Sequence, residues 1–349
     1  MSTIAVVTSS PPFVEGGHLV IARALVTALV EAGHKADLVL TPQNRFGRQG
    51  AAYAATWLTD VGQTADGRKV DQVISLRFPS YAVRHPRHIC WLNHTMREYY
   101  DLWPRFRGEL SGVNRAKEGL RRRVIHAADR YLLTRNVTKL FVQSETIRRR
   151  LGHWPEVHAE VLHPPAPPRA YRVDDYEPYV FAVSRFAPLK RMALVVDALA
   201  QPEAAGIKAV LAGEGEELNE VAARVRAAGL GDRVRLTGRL SEAELLDHLA
   251  RCRAVVFPPF DEDFGFVTVE AFASARPVIT CRDSGGPTEL VVDGRSGFVV
   301  DPTPSAMAAA FRRVIDDRDL AARLGAAGAV VSASLTWPAT LARLLLPVN

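Results

Sequence analysis

Short apolar strands alternate with amphipathic helices along this chain twice over, and that pattern constrains the fold more than any total does. The first series opens with a strand at 3–10, "TIAVVTSS", followed by the loop 11–18, "PPFVEGGH", and a helix over 19–34 closed by Gly33, a natural residue for the turn after a helix. A strand at 35–41 comes next, and further buried-type strands read at 71–77, 88–93 and 139–144. Residues 45–70 show no periodicity that places an element. The proline-rich stretch 161–178, "VLHPPAPPRAYRVDDYEP", breaks the rhythm and reads as a linker. The alternation then restarts, with strands read in 179–185, 208–216, 234–238, 254–260 and 277–281 and helices between them, the first over 192–200. Alternating strands and helices imply a parallel sheet with right-handed crossovers, so the chain reads as two α/β halves of similar size.

Length agrees with two halves, since 349 residues exceed one typical core. The expected boundaries are 1–165 for the first domain, 173–332 for the second, and 333–349 for a closing helix. Cys90, Cys252 and Cys281 lie far apart and offer neither a disulfide framework nor zinc spacing, which fits a reducing, cytoplasmic setting. The N-terminus lacks signal-peptide character, and no uninterrupted apolar run reaches membrane-spanning length. The net charge of +6 is uneven: residues 1–160 hold 23 basic against 14 acidic side chains. Within them, 105–150 hold 13 against 4, including Arg121 to Arg123 and Arg148 to Arg150. Such runs are either a solvated face or a contact with an anionic surface, such as the inner leaflet of a membrane or an acidic acceptor. Nucleic acid is not expected as a partner, because no binding module accompanies the charge.

In open parallel sheets ligands bind beyond the carboxyl ends of the strands, so the chemistry is sought where strands end. The segment 257–280, "FPPFDEDFGFVTVEAFASARPVIT", places Glu262 before a Phe264-Gly265 turn and Glu270 in the helix that begins at Phe266. That helix start offers free amides and positive dipole to a phosphate, and carboxylates suit the paired hydroxyls of ribose or a hexose. Asp261, Glu262 and Asp263 read equally well as charges at a helix N-terminus. After the strand at 179–185, Arg185 and Lys190 could neutralise a diphosphate or sit in a solvated loop. Gly213 and Gly215 form another glycine turn at a strand end, without a dinucleotide fingerprint. Cys281, Gly285-Gly286 and Glu289 read as strand end, tight turn and helix charge. In the first half, Gly16-Gly17 precede a helix and could let backbone approach phosphate oxygens. His94 ends a buried-type strand among Trp91, Arg97, Tyr99, Tyr100, Asp101 and Trp103, and rings beside polar groups suit a sugar, although a structural role for such a histidine is the commoner case.

As an ordered set, these residues resemble the retaining Glu-x7-Glu glycosyltransferases that build bacterial lipopolysaccharide, capsule and glycolipid glycans. "EDFGFVTVE" carries the motif, with "SRFAPLK" before it and "SGGPTE" after it. The resemblance implies the GT-B fold, α/β with two facing Rossmann-like domains, parallel sheets and a deep interdomain cleft, the first domain on the acceptor side and the second binding the nucleotide sugar. It implies that Arg185 and Lys190 hold the donor diphosphate, Glu262 the donor sugar and Glu270 the ribose. It places Gly16-Gly17 near phosphates and acceptor, His94 beside the donor sugar, and Gly213, Phe264, Gly265 and Phe266 around the nucleotide. Arg185, Lys190, Glu262 and His94 are the catalytic candidates. No metal or other cofactor is expected beyond the donor, a nucleoside diphosphate sugar. The closing helix is implied to cross back onto the first domain.

Three positions depart from the family pattern. Ala275 stands where Gly is usual, read as packing without consequence; Met96 replaces a proline in "NHTMR"; and "EDFG" replaces "EGFG". The His-Thr and Glu-Asp-Phe-Gly variants point towards GDP-mannose. The expected activity is retaining transfer of a hexose, mannose or glucose, to an acceptor hydroxyl of a glycan, a glycolipid or a small molecule. Rival readings are a nucleotide-sugar epimerase or phosphorylase on the same fold, or a non-catalytic basic module holding membrane or polymer.

Overall fold

The computed structural model describes residues 1–13, 16–43 and 47–347, so Val14 and Glu15 of the glycine loop and the start of the unplaced stretch lie outside the described residues. The chain divides into two compact units, residues 1–167 with 337–349, and residues 168–336.

The first unit runs β1 (Thr3–Ser10), α1 (Gly17–Glu31), β2 (Lys35–Pro42), α2 (Gln49–Leu58), β3 (Gln72–Arg77), β4 (His88–His94), α3 (Trp103–Gly108), α4 (Gly112–Tyr131), β5 (Lys139–Val142), α5 (Glu145–Leu151) and β6 (Ala159–Val161). Its six strands are parallel in the order β2-β1-β3-β4-β5-β6. β3 and most of β4 are buried, as expected of parallel strands covered on both faces. α2 lies in the stretch that gave no periodic signal, because its small residues, "QGAAYAATWL", define no apolar stripe.

The second unit runs β7 (Glu177–Val183), α6 (Met192–Leu199), β8 (Lys208–Ala212), α7 (Leu218–Ala227), β9 (Val234–Leu236), α8 (Glu242–Arg251), β10 (Cys252–Val256), α9 (Phe266–Ala273), β11 (Val278–Cys281), α10 (Pro287–Leu290), β12 (Gly297–Val300), α11 (Pro304–Asp316) and α12 (Arg318–Ser334). The strands pair in parallel as β12-β11-β10-β7-β8-β9. Counted from β7 this is the doubly wound order 3-2-1-4-5-6, whose direction reverses between β7 and β10. α8 starts on a reciprocal cap between Ser241 and Glu244, and α12 on the Asp317 side chain. α13 (Trp337–Leu344) belongs to the first unit, where Gln72 donates to the Leu344 carbonyl and Trp337 meets Trp91 edge to face.

Ala275 corrects a sequence expectation. α9 ends in two crossed backbone bonds, Arg276 N to Ala271 O at 2.8 Å and Ala275 N to Phe272 O at 2.9 Å, a closure that puts its last residue in the left-handed region. Ala275 has φ +49°, so the usual glycine is a conformational requirement rather than a packing preference. α12 crosses α9 closely here: a Cβ on Gly325 would lie 1.9 Å from the Ala275 carbonyl oxygen.

A candidate donor site at the ends of β7 and β10

The reversal point of the second sheet gathers three loops. After β7, Ser184 and Phe186 continue the ladder, bonding to Ala212 O and Glu214 O at 3.0 and 2.8 Å. Gly213 and Gly215 permit this approach, since a Cβ on either would stand 1.8 Å from Ser184 O or 2.3 Å from Phe186 O. Close backbone packing therefore explains both glycines without a ligand. The loop after β10 is tied to the first by Phe260 N to Leu189 O at 2.7 Å. It is also extended against the loop after β11: Glu262 N bonds Ser284 O and Gly286 N bonds Glu262 O, each at 2.9 Å. Gly285 sits at φ +69° with its Cβ position 2.6 Å from Glu262 O, which accounts for the Gly-Gly pair.

These ties bring Lys190 and Glu262 together. Nζ lies 2.5 Å from Oε2, with side chains 14% and 18% exposed, and the ammonium stands 5.7 Å above the Phe257 ring. Sequence reasoning missed Arg191, which clamps all three loops. Held at φ +51°, it forks onto Asp283 at 2.6 and 2.9 Å and donates to the carbonyls of Pro258 and Pro259. Arg185, in the loop after β7, is exposed.

Gly265, at φ +84°, turns the chain into α9, whose first amides, Phe266 and Val267, have no intrahelical acceptor by helix geometry. The Phe264 side chain is buried and meets Phe266 edge to face, so only its backbone can serve a ligand. Glu270, one turn into α9, is buried, and Arg169 Nη1 meets its Oε1 at 2.5 Å. Burial pushes the Glu270 carboxyl up to about 7; Glu242 raises it further, while Arg169 and the Tyr171 hydroxyl oppose the rise. Arg169 carries no local signal in sequence, being 101 positions from its partner. The two glutamates are thus held by separate cations, Glu262 by Lys190 and Glu270 by Arg169.

In the first unit, Gly16 precedes α1 with φ −172°, extended backbone open to any residue, and Gly17 is the first residue of the helix. His94 ends β4, half-buried, with its ring 6.2 Å from Phe78. The aromatic cluster beside it is not a sugar platform. Trp91 is fully buried and donates to Leu162 O; the hydroxyls of Tyr99 and Tyr100 donate to Glu118 and Asp129 at 2.6 and 2.5 Å; and Trp103 packs on Tyr99. Arg97 and Asp101 pair with each other at 2.7 Å, and Arg150 adds a contact to Asp101 at 3.4 Å. What the sheet does place at its carboxyl edge is a set of buried polar atoms with no hydrogen-bond partner: Thr8 Oγ1 on β1, Asn93 Oδ1 on β4, Thr95 Oγ1 just past it, and both amide atoms of Gln143 directly after β5.

Residues 167–330 match the family model of glycosyl transferases group 1. The chain is 33% identical over 156 residues to the D-inositol 3-phosphate glycosyltransferase of Streptomyces scabiei, a match covering 44% of this chain and 33% of that protein. The chain thus spans about a third of the length of that relative. Sucrose-phosphate synthase from Thermosynechococcus elongatus superposes with TM-score 0.75 at 18% identity, over 97% of each chain. HepE from Anabaena, in complex with UDP and glucose, superposes with TM-score 0.69 at 16% identity, over 97% of this chain and 98% of that one.

Proposed function

We propose that this chain, a GT-B fold whose residues 167–330 belong to the group 1 glycosyl transferases, moves a hexose from a nucleoside diphosphate sugar to an acceptor hydroxyl with retention at the anomeric carbon. The observation that carries this reading is the meeting of Lys190 and Glu262 where the second sheet reverses, beside the open amides of α9. A diphosphate finds three sources of positive charge there, namely Lys190, the exposed Arg185 and the helix start. Glu262 then turns to the sugar hydroxyls and Glu270 to the ribose.

Neither glutamate is cast as a glycosidase-type nucleophile, since both serve binding. The acceptor oxygen bonds to the anomeric carbon on the face from which the phosphate oxygen departs, and that oxygen takes the acceptor proton. Arg185, Lys190 and the amides of Phe266 and Val267 stabilise the charge gathering on the diphosphate, a type of contribution that is often the largest in such reactions. Charge neutralisation is assigned to these groups without a metal ion.

The donor choice favoured by the "NHTMR" and "EDFG" variants is GDP-mannose, with UDP-glucose as the alternative suggested by the UDP and glucose bound to HepE. The acceptor is assigned to the first unit, and a polyol is the class proposed for it. The relative named for D-inositol 3-phosphate supports that class. A thermal-shift screen with GDP-mannose, UDP-glucose, UDP-N-acetylglucosamine, UDP-galactose, UDP and GDP tests the reading, because bound donor raises the melting temperature. No shift with any of them overturns it. Conversion of the donor without acceptor would instead mark an epimerase.

A peripheral, cytoplasmic placement on an anionic membrane completes the proposal. Val113, Leu120, Val124 and Tyr131 fall on one line along α4, 57 to 82% exposed, and Lys117 and Arg123 flank them. Co-sedimentation with phosphatidylglycerol vesicles, and not with phosphatidylcholine vesicles, is the expected result; equal failure with both removes this placement.

A further inference from the structure

We propose that Arg169 is a positioning residue of the donor site, which orients the Glu270 carboxylate so that it accepts the two ribose hydroxyls of the nucleotide. This rests on the reading above that Glu270 binds the nucleotide.

Geometry is the main support. Arg169 follows Pro167-Pro168 at the entry to the second unit, and its side chain is 15% exposed against 9% for Glu270. An arginine can fork onto both oxygens of a carboxylate, as Arg191 does on Asp283. Here Arg169 approaches Oε1 through one nitrogen and turns its Nε towards Glu242 Oε2, 3.5 Å away on α8. A single-point contact fixes the direction of the carboxylate while leaving it acceptor capacity, since an ionised carboxylate offers about four lone-pair sites. The Tyr171 hydroxyl, two residues on, is buried and bears on Glu270. It therefore stands as a further polar group beside the same carboxylate.

Charge gives the second support. Three ionisable side chains bear on Glu270: Arg169 and Tyr171 from the entry segment and Glu242 from α8. Burial and Glu242 both work against its charge, and Arg169 is the cation that opposes them. Without Arg169 the carboxyl stays protonated to higher pH, and a protonated carboxyl cannot accept both hydroxyls through free lone pairs as well as the anion does. Loss of Arg169 should therefore weaken nucleotide binding most at neutral and acidic pH, and least once the medium is alkaline enough to ionise Glu270 unaided. A contact that merely held the loop would weaken binding at every pH alike.

Calorimetric titration of the full chain with UDP and GDP from about pH 6 to about pH 9 tests this, with the 2′,3′-dideoxy nucleotide of the tighter binder as comparison. For Arg169→Met, binding should be roughly fivefold weaker near pH 7 and converge on the native value towards pH 9. Arg169→Lys should recover most of the loss, and the dideoxy nucleotide should show no difference between native and variant. In turnover, KM for the donor should rise with kcat nearly unchanged. Binding by Arg169→Met that equals the native value at all pH values, or a loss that is independent of pH and of the ribose hydroxyls, overturns the proposal. Should Arg169→Met not fold, Arg169→Gln takes its place: an upward displacement of its pH profile supports the proposal, and an unmoved profile rejects it. Glu270→Gln separates the two levels: if it binds the nucleotide as well as the native chain, the nucleotide-site reading itself fails, whereas a Glu270→Gln loss beside an indifferent Arg169→Met rejects the positioning role alone.

Discussion

Lys190 Nζ and Glu262 Oε2 lie 2.5 Å apart, one carried by the loop after β7 and the other by the loop after β10. Two groups expected to hold neighbouring parts of one donor, its diphosphate and its sugar, thus neutralise each other. On the proposed reading, donor binding exchanges this pair for phosphate and sugar contacts, so part of the binding energy goes into parting it. Removal of the ammonium takes charge from the developing diphosphate and leaves Glu262 without its cation. Lys190→Ala should cost ~2 to 4 kcal/mol in the transfer barrier, read as kcat/KM for the preferred donor. Turnover equal to the native chain would show that Lys190 serves only the ion pair.

Gly285 makes the loop of Glu262 possible. At φ +69°, with its Cβ position 2.6 to 2.9 Å from the backbone of Asp261 and Glu262, it tolerates no side chain unless that loop moves. Gly285→Ala should destabilise the chain by more than about 1 kcal/mol in urea unfolding and raise the donor KM, because the displaced segment carries Glu262. A variant with native stability and native KM would show that the loop repacks freely.

Ala275 invites the opposite change. A left-handed alanine costs about 1 to 2 kcal/mol, and glycine removes that cost while giving back part of it through a freer unfolded chain. Tyr176 donates to the Ala275 carbonyl at 2.7 Å, so the turn is kept from the outside when the side chain goes. Ala275→Gly should raise stability by ~0.5 to 1 kcal/mol, visible as a higher urea midpoint with unchanged slope. A lower midpoint would mean that the Ala275 methyl packs better than the strain costs.

The sheets were legible because β-rich apolar runs bounded by turn residues are a local property, and the second half read element by element from β7 to β11, whereas α11 and α12 received no reading. β6, "AEV", was not legible because it sets a single β-branched residue beside a glutamate and shows no apolar run, and β12, "GFVV", received no reading. The site was legible only as a series of short motifs. Lys190 and Glu262 could be nominated separately, but the 72 positions between them hide their contact. Arg169 and Arg191 gave no signal, because a lone arginine in a loop resembles any solvated one until its partners are brought to it. The rings around His94 misled in the other direction: aromatic residues beside polar ones describe a sugar site and a hydrogen-bonded core equally well, and burial decides between them.

That core has a centre of its own in Asp129, fully buried on α4, which accepts from the hydroxyls of Tyr53, Tyr81 and Tyr100. Burial pushes its carboxyl up to about 6, and the three hydroxyls only partly offset the rise. A carboxyl whose pKa is higher folded than unfolded favours folding fully below its unfolded value and loses that contribution as pH rises through the folded one, here a window from about pH 4 to about pH 6. A carboxamide in place of the acid cannot ionise, so Asp129→Asn should gain on the native chain across that window, by roughly 3 kcal/mol at most. Tyr100→Phe should do the reverse at neutral pH, costing ~1 to 3 kcal/mol by leaving a buried carboxylate oxygen without its donor. Urea unfolding of the three proteins at about pH 4.5 and about pH 7 checks both. A stability difference between Asp129→Asn and the native chain that stays constant with pH would mean that the three hydroxyls hold the carboxylate ionised throughout.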